Sequence, residues 1–249
     1  MLNLLAGVIA VMLAVSDRLV EAAIFVLIGI FFDFFDGFFA RLLKVQSEFG
    51  VQLDSLADVV TSGVVPGIVM FQLFMRSIHK EWTDGLSCEI GNWIVFEETV
   101  EMSFGGSRVH LLPFIGLLLT LAAAYRLAKF NIDERQSSSF IGLPTPAMAL
   151  FVLSLPVILL YSDITFLNEL IANKYFLIAA TLILSILMNA EIPLFSLKFK
   201  NFSLKNSAIE IIFITVSLIL VILLKFVAIP SIILFYVFLS VIDNKLHKI

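Results

Sequence analysis

Cysteine, histidine and charged residues are all scarce in this chain. Cys88 is the single cysteine among 249 residues, which excludes an internal disulfide framework and a cysteine-based metal site. The three histidines are widely separated, as is typical of surface residues rather than metal ligands. Charged residues make up 14% of the chain, against roughly 25% in soluble domains. These shortages argue against a soluble protein. The sequence also contains no basic patch of the kind that binds nucleic acid.

Apolar residues dominate instead, at 60% of the chain with 25 phenylalanines. Many runs approach the ~20 residues that a membrane-spanning helix needs. The predicted spans are 2–15, 22–43, 51–75, 111–128, 146–161, 175–190, 208–227 and 229–242. The composition therefore predicts an all-α fold, a polytopic membrane helical bundle. Pro230 separates the last two spans only weakly, so that seven and eight helices both remain open.

Two features near the ends of spans lead to further expectations. The 14 residues of the first span would rise about 21 Å, less than the ~30 Å of a bilayer core, so we expect the chain to begin inside its first helix. A long polar segment, 76–110, carries Trp82 and Trp93. It is interpreted as an interfacial loop with tryptophan anchors or as a gate for the substrate.

Four aspartates interrupt the second and third apolar runs. They belong to the pattern D-x2-D-G-x2-A-R-x8-G-x3-D-x3-D, formed by Asp33, Asp36, Gly37, Ala40, Arg41, Gly50, Asp54 and Asp58. The first five of these recur at the spacing of one helix face, and the last three recur every fourth residue on the next helix. A short connection makes the two helices antiparallel neighbours. Charges at membrane depth are costly and persist mainly at functional sites.

The clustered carboxylates favour a metal site. Like charges at ~4 Å repel by a few kcal/mol even at an effective dielectric of 20, so either some are protonated or cations neutralise them. All-oxygen ligation suits Mg²⁺ or Mn²⁺, with Ca²⁺ as a third option. Two divalent cations beside substrate phosphates form an arrangement used for displacement at phosphorus. The alternative is a proton-coupled transporter, but relay carboxylates would be distributed through the membrane depth.

Small residues accompany the aspartates. Gly37 and Ala40 open the face of the first motif helix, and Gly50 does the same on the second, so that a ligand can approach the backbone. Arg41 could contact pyrophosphate oxygens, pair with a motif carboxylate or extend to the membrane interface. Lysines and arginines divide ten to six between the two sides of the bundle. This excess predicts that the motif side faces the cytoplasm.

The motif residues resemble the signature of the CDP-alcohol phosphotransferases, integral membrane enzymes that join a CDP-linked donor to an alcohol and release CMP. Segments 46–58, 126–131 and 140–146 resemble the membrane-type bacterial phosphatidylserine synthases of that family. Ser55 stands where the phosphatidylglycerophosphate and cardiolipin branches more usually have proline. The resemblance covers about residues 2–195. It implies a six-helix catalytic core over residues 1–195, with 196–249 forming about two further transmembrane helices.

The resemblance also implies an activity and a cofactor. The implied reaction transfers the phosphatidyl group of CDP-diacylglycerol to the hydroxyl of L-serine, in a homodimer of the bacterial inner membrane. Asp33, Asp36 and Asp54 would hold two metal ions, and Asp58 would complete the metal site and act as the general base. Other acceptors, such as glycerol 3-phosphate or inositol phosphate, and an archaeal-type ether donor remain open. The implied CDP-binding residues are Asp33, Gly37, Ala40, Arg41, Gly50 and Asp54.

The serine site is implied less directly. The resemblance makes Arg126, Lys129 and Asn131 the candidate serine-binding residues, while the two basic residues could equally extend to the membrane interface. Two departures from the family stand out. The short amphipathic arm expected before the first helix is missing, and the 76–110 loop is longer than usual.

Overall fold

A computed structural model describes residues 1–43, 47–78, 102–104, 107–109, 111–132, 140–194 and 208–246. These residues are mostly helical, with two short strand pairs and short connecting segments. Trp82, Trp93 and most of the 76–110 loop lie outside the described residues, so neither interpretation of that loop is tested. The fold class expected from the sequence, an all-α polytopic membrane bundle, is confirmed.

The helices follow the predicted apolar runs. The first half of the chain contains α1 Leu2–Val15, α2 Leu19–Leu42, α3 Glu48–Val59, a π-helical turn Val60–Val64 and α4 Val65–Ile78. The second half contains a 3₁₀ helix Leu112–Leu117, α5 Leu118–Ile132, α6 Thr145–Tyr161, α7 Thr165–Ile171, α8 Lys174–Asn189, α9 Ala208–Leu224, a 3₁₀ turn Lys225–Val227 and α10 Ala228–Leu246.

The strands are short and antiparallel. β1 Met102–Phe104 pairs with β2 Ser107–Val109, and β3 Phe140–Ile141 pairs with β4 Pro193–Leu194. The second pair ties the segment before α6 to the segment after α8. There Gly142 has a φ of 74°, a conformation that glycine adopts without steric cost.

Polar residues set the boundaries of the motif helices. Ser47 caps α3, because its Oγ accepts a hydrogen bond from the backbone nitrogen of Gly50 at 3.1 Å, as N-cap serines commonly do. The helix therefore begins at Glu48. The predicted third span, 51–75, therefore started three residues too late, because the Ser47 cap was not recognised.

Within the described part of the chain, four helical stretches are long and apolar enough to cross a membrane: Leu19–Ala40, Glu48–Ile78, Leu112–Ile132 and Ile211–Asp243. The bent pair α7–α8, with an angle of 69°, is a further candidate span. The last stretch is not one straight helix. The rings of Phe213 and Phe235 stack with their centroids 6.1 Å apart, although 22 residues of straight helix would separate them by about 33 Å.

The last stretch therefore folds back on itself as a hairpin. The turn lies at Lys225, whose φ of 49° breaks the helix, and not at Pro230. The hairpin consists of α9 and α10, so the last two predicted spans are separate helices. α10 packs against α6, which attaches the hairpin to the rest of the bundle.

Small residues let the first two helices approach closely. α1 and α2 pack through fully buried alanines, among them Ala10, Ala14 and Ala22. A side chain at Gly116 would lie 2.8 Å from the backbone nitrogen of Phe71, so the 3₁₀ helix and α4 touch through their main chains. This packing brings α1, α2, α3 and α5 together at one end of the bundle, which we call the motif end.

Candidate functional site

The motif end gathers three of the four aspartates from two helices. Asp33 on α2 lies within hydrogen-bonding reach of Asp54 on α3, and close enough to Asp58 for their charges to repel. Asp33 and Asp58 are half-buried, while Asp54 is exposed at the rim. The predicted convergence of the acidic faces of α2 and α3 is therefore present in the structure.

The fourth aspartate stands apart. Asp36 lies about one turn further along α2 with 54% of its side chain exposed, and its Oδ2 is 3.4 Å from the backbone nitrogen of Met1. Among the residues that the structure describes, no group of three or more Asp, Glu, His or Cys side chains is close enough to hold a metal ion.

The chemistry of the donors nevertheless fits a hard divalent cation. The four motif side chains offer only carboxylate oxygens, and the described residues around them include no cysteine or histidine. Mg²⁺, Mn²⁺ and Ca²⁺ prefer such oxygen ligands.

Asn3 on α1 joins the aspartates, which sequence reasoning missed. Its Nδ2 donates to Oδ1 of Asp33 at 3.3 Å and to Oδ1 of Asp58 at 3.1 Å. The residue is buried, with 2% of its surface exposed. Asn3 is the sole polar side chain in the apolar run 2–15. That isolation was the available signal, because a polar group in an apolar span needs a partner.

Arg126 forms the α5 side of the site. It is buried, with 8% exposed, and its positive charge interacts favourably with Asp58. Its Nε has no hydrogen-bond partner within the described part of the chain. A buried guanidinium with an unused donor is costly unless a ligand or water satisfies it. The structure therefore brings Arg126 to the aspartates, and its position does not fit extension to the membrane interface.

The other two serine-binding candidates have different surroundings. Asn131 bonds to Ser55 on α3, with Nδ2 of Asn131 donating to Oγ of Ser55 at 2.9 Å. Lys129 points to the end of α8 instead, and its Nζ lies 3.2 Å from Oε1 of Glu191. Asn131 thus contacts Ser55, the residue that follows Asp54 in the chain. Lys129 pairs with Glu191 instead.

The remaining motif residues line α2 and α3. Gly37 and Ala40 are half-buried on α2, and Gly50 is exposed in the first turn of α3. A side chain at Gly50 would lie 3.1 Å from Oγ of Ser47, so glycine also leaves room for the helix cap. The side chain of Arg41 lies outside the described residues, and its three interpretations stay predictions.

An acidic cluster within apolar helices, flanked by a buried arginine, defines an integral membrane protein with a polar site at one end of its bundle. The chain belongs to the CDP-alcohol phosphatidyltransferase family, whose sequence model matches residues 1–242. The family resemblance drawn from the motif is thereby confirmed. Members of this family generally depend on a divalent metal.

The chain is similar to several curated proteins. It is 31% identical to a CDP-diacylglycerol–serine O-phosphatidyltransferase of Bacillus subtilis over 158 residues, which cover 61% of this chain and 70% of the relative. A Helicobacter pylori protein of the same name is 32% identical over 59% of this chain. An archaetidylserine synthase of Methanothermobacter thermautotrophicus is 26% identical over 72% of this chain. The matches span 50% of the Helicobacter protein and 65% of the archaeal one.

Proposed function

We propose that the protein transfers the phosphatidyl group of CDP-diacylglycerol to the hydroxyl of L-serine and releases CMP. The observation that carries this proposal is the meeting of Asp33, Asp54 and Asp58 beside the buried Arg126. The carboxylates suit a cation-bound pyrophosphate, and the arginine suits an anionic acceptor. The names of the relatives in Bacillus and Helicobacter support the same reaction.

The four aspartates are proposed to hold two divalent cations, Mg²⁺ or Mn²⁺. Asp33, Asp36 and Asp54 would bind them, and Asp58 would complete the set. When bound, the cations would neutralise the pyrophosphate and the charge that develops on the leaving CMP. Gly37, Ala40, Arg41 and Gly50 are proposed to shape the CDP pocket, since three of these four leave the helix surface open to a nucleotide.

Asp58 is proposed as the general base. Its carboxylate would accept the proton of the serine hydroxyl as the serine oxygen attacks the phosphorus that bears diacylglycerol. One P–O bond to serine forms, and the P–O bond to CMP breaks. The half-buried position of Asp58 and its amide donor from Asn3 hold the carboxylate in one orientation. Such a base typically contributes 10²–10⁴ in rate.

Arg126 and Asn131 are proposed to hold the acceptor. The unpartnered Nε of Arg126 could donate to the serine carboxylate, and a guanidinium binds carboxylates with two parallel hydrogen bonds. The Asn131–Ser55 pair joins α5 to α3 next to Asp54 in the chain. Lys129 is the weaker candidate, because it pairs with Glu191.

We also propose how the enzyme is placed in the membrane and how its chain is organised. The donor's acyl chains would lie in the lipid beside the exposed phenylalanines of α2, such as Phe34 and Phe38. The excess of lysine and arginine on the motif side supports a cytoplasmic active site in a bacterial inner membrane. The homodimer and the division into a core of residues 1–195 and an added hairpin at 196–249 are likewise proposals. The packing of α10 on α6 supports the proposal of an attached hairpin.

One alternative has specific support. The similarity to the archaetidylserine synthase favours an ether-linked donor as the second candidate, with the same acceptor and the same site. Phosphorylated acceptors would add negative charge beside Asp58, for which the described residues offer Arg126 as the one buried cation.

The experiment is CMP release by the purified protein in detergent, from CDP-diacylglycerol with serine, glycerol 3-phosphate or inositol phosphate. An ether-linked CDP donor is tested in parallel. The proposal expects serine-dependent CMP release that the other alcohols do not support. CMP release with glycerol 3-phosphate and none with serine would overturn it.

A further inference from the structure

The first helix contributes a side chain to the motif site. Asn3 places both hydrogens of its amide nitrogen against carboxylates from two different helices, Asp33 on α2 and Asp58 on α3. It is thus the single described side chain that donates a hydrogen bond to both of them. A neutral donor between two like charges reduces their repulsion and fixes one oxygen of each.

Thr61 fixes the orientation of this amide. Its hydroxyl donates to Oδ1 of Asn3 at 2.9 Å, and it is 1% exposed. In this arrangement the oxygen of the amide accepts from Thr61 and its nitrogen faces the carboxylates. The reversed amide would set its oxygen against the carboxylate oxygens of Asp33 and Asp58, where acceptor would face acceptor. The hydrogen-bond network therefore admits one orientation.

The backbone around Thr61 is specialised to bring it there. Thr61 lies in the π-helical turn Val60–Val64, three residues after Asp58. Short π-helical segments are frequent at functional sites. A side chain at Gly7 would collide with Oγ1 of Thr61, and one at Gly29 would lie 2.9 Å from its Cγ2. Glycines on α1 and α2 thus leave the space that Thr61 and Asn3 fill.

We infer that Asn3, oriented by Thr61, is a positioning residue that holds the carboxylates of Asp33 and Asp58 in their working arrangement. This inference rests on the proposed function. It extends the site to α1, which carries none of the motif residues. By binding one oxygen of each carboxylate, Asn3 leaves the other oxygen for the cation or for the serine proton. Residues that orient metal ligands in this way commonly contribute 10- to 100-fold to metal affinity or activity.

The test compares Asn3→Ala, Thr61→Val and Thr61→Ser with wild type. Thr61→Val keeps the shape of the side chain and removes the hydroxyl, and Thr61→Ser keeps the hydroxyl. Thr181→Val is the matched control, because Thr181 is equally buried and bonds to the backbone of Leu177 within α8. The readouts are kcat and KM for serine, and Mn²⁺ affinity of the resting protein by electron paramagnetic resonance.

The inference expects Asn3→Ala to lower kcat 10- to 100-fold and to weaken Mn²⁺ binding about tenfold, with little change in KM for serine. Thr61→Val should lower kcat and Mn²⁺ affinity several-fold, and Thr61→Ser should restore both values. Thr181→Val should match wild type. Unchanged kcat and Mn²⁺ affinity in Asn3→Ala would overturn it. So would equal behaviour of Thr61→Val and Thr181→Val, a comparison that stands even where Asn3→Ala does not fold. Wild-type protein that releases no CMP would instead overturn the proposed function, and the Mn²⁺ comparison would still test Asn3.

Discussion

Nδ2 of Asn131 lies 2.9 Å from Oγ of Ser55, which joins the end of α5 to the middle of α3. Ser55 follows Asp54 directly in the chain, so this bond sets the distance between the proposed acceptor residues and the carboxylates. The side of the site formed by α5 is therefore held to α3 by a hydrogen bond that does not involve α1 or α2. Substitutions on α5 should affect the acceptor more than the CDP-linked donor.

We expect Asn131→Ala to raise KM for serine about tenfold, because loss of one hydrogen bond that orients the acceptor side costs about 1.4 kcal/mol. KM for CDP-diacylglycerol should change little. Asn168→Ala is the control, since Asn168 bonds to the backbone of Ser162 away from the motif end. Steady-state kinetics with each substrate varied in turn measure both constants. An equal effect on both would show that the substitution acts on the fold.

Arg126→Lys should raise KM for serine by more than Lys129→Ala does. The lysine keeps a charge near Asp58 but loses the planar donor pair that suits a carboxylate. Lys129 already pairs with Glu191 at 3.2 Å, so its removal should leave serine binding within about twofold, the effect of a weak exposed ion pair. A larger effect of Lys129→Ala than of Arg126→Lys on KM for serine would contradict the assignment of Arg126 to the acceptor site.

Much of the fold could be predicted from the pattern of apolar runs. All eight predicted spans coincide with helices, because burial in lipid needs long apolar segments whatever their sequence details. The short helix α7 and the turn at Lys225 were not predicted. Both depend on local backbone geometry, such as the φ of 49° at Lys225, that hydropathy does not encode.

Part of the site could also be predicted from the sequence, but for a different reason. The helical spacing of Asp33, Asp54 and Asp58 is a local property, and the few residues between the two motif helices in the sequence favour their meeting. Asn3 is 55 residues from Asp58, and Lys129 is 62 residues from Glu191. Contacts at such separations depend on how the helices pack, which one sequence does not reveal.

Asp58→Asn should lower kcat by 10²–10⁴, because an amide cannot accept the serine proton. The substitution keeps the shape of the side chain, so CDP-diacylglycerol should still bind. Asp163→Asn is the control, as Asp163 is exposed in the segment between α6 and α7. CMP release under saturating substrates and equilibrium binding of the donor give the two readouts. Turnover like that of wild type would remove Asp58 from the role of base.

The opposite end of the bundle contains an ion pair that should matter for stability. Nη2 of Arg76 lies 2.7 Å from Oδ2 of Asp17, whose side chain is 7% exposed. Arg76→Leu leaves a buried carboxylate without its cation and should reduce the free energy of unfolding by about 1–3 kcal/mol. Arg18→Leu breaks the exposed pair with Glu21 and should cost under about 1 kcal/mol. Thermal unfolding of both variants in detergent checks the difference, and equal midpoints would contradict it.

The central claim is that the carboxylates of α2 and α3 act through divalent cations. The most direct measurement is CMP release by protein treated with EDTA, then supplied with Mg²⁺ or Mn²⁺ in excess of the chelator. The account predicts no serine-dependent CMP release in EDTA and its return with either cation. Full CMP release in the presence of chelator would contradict it.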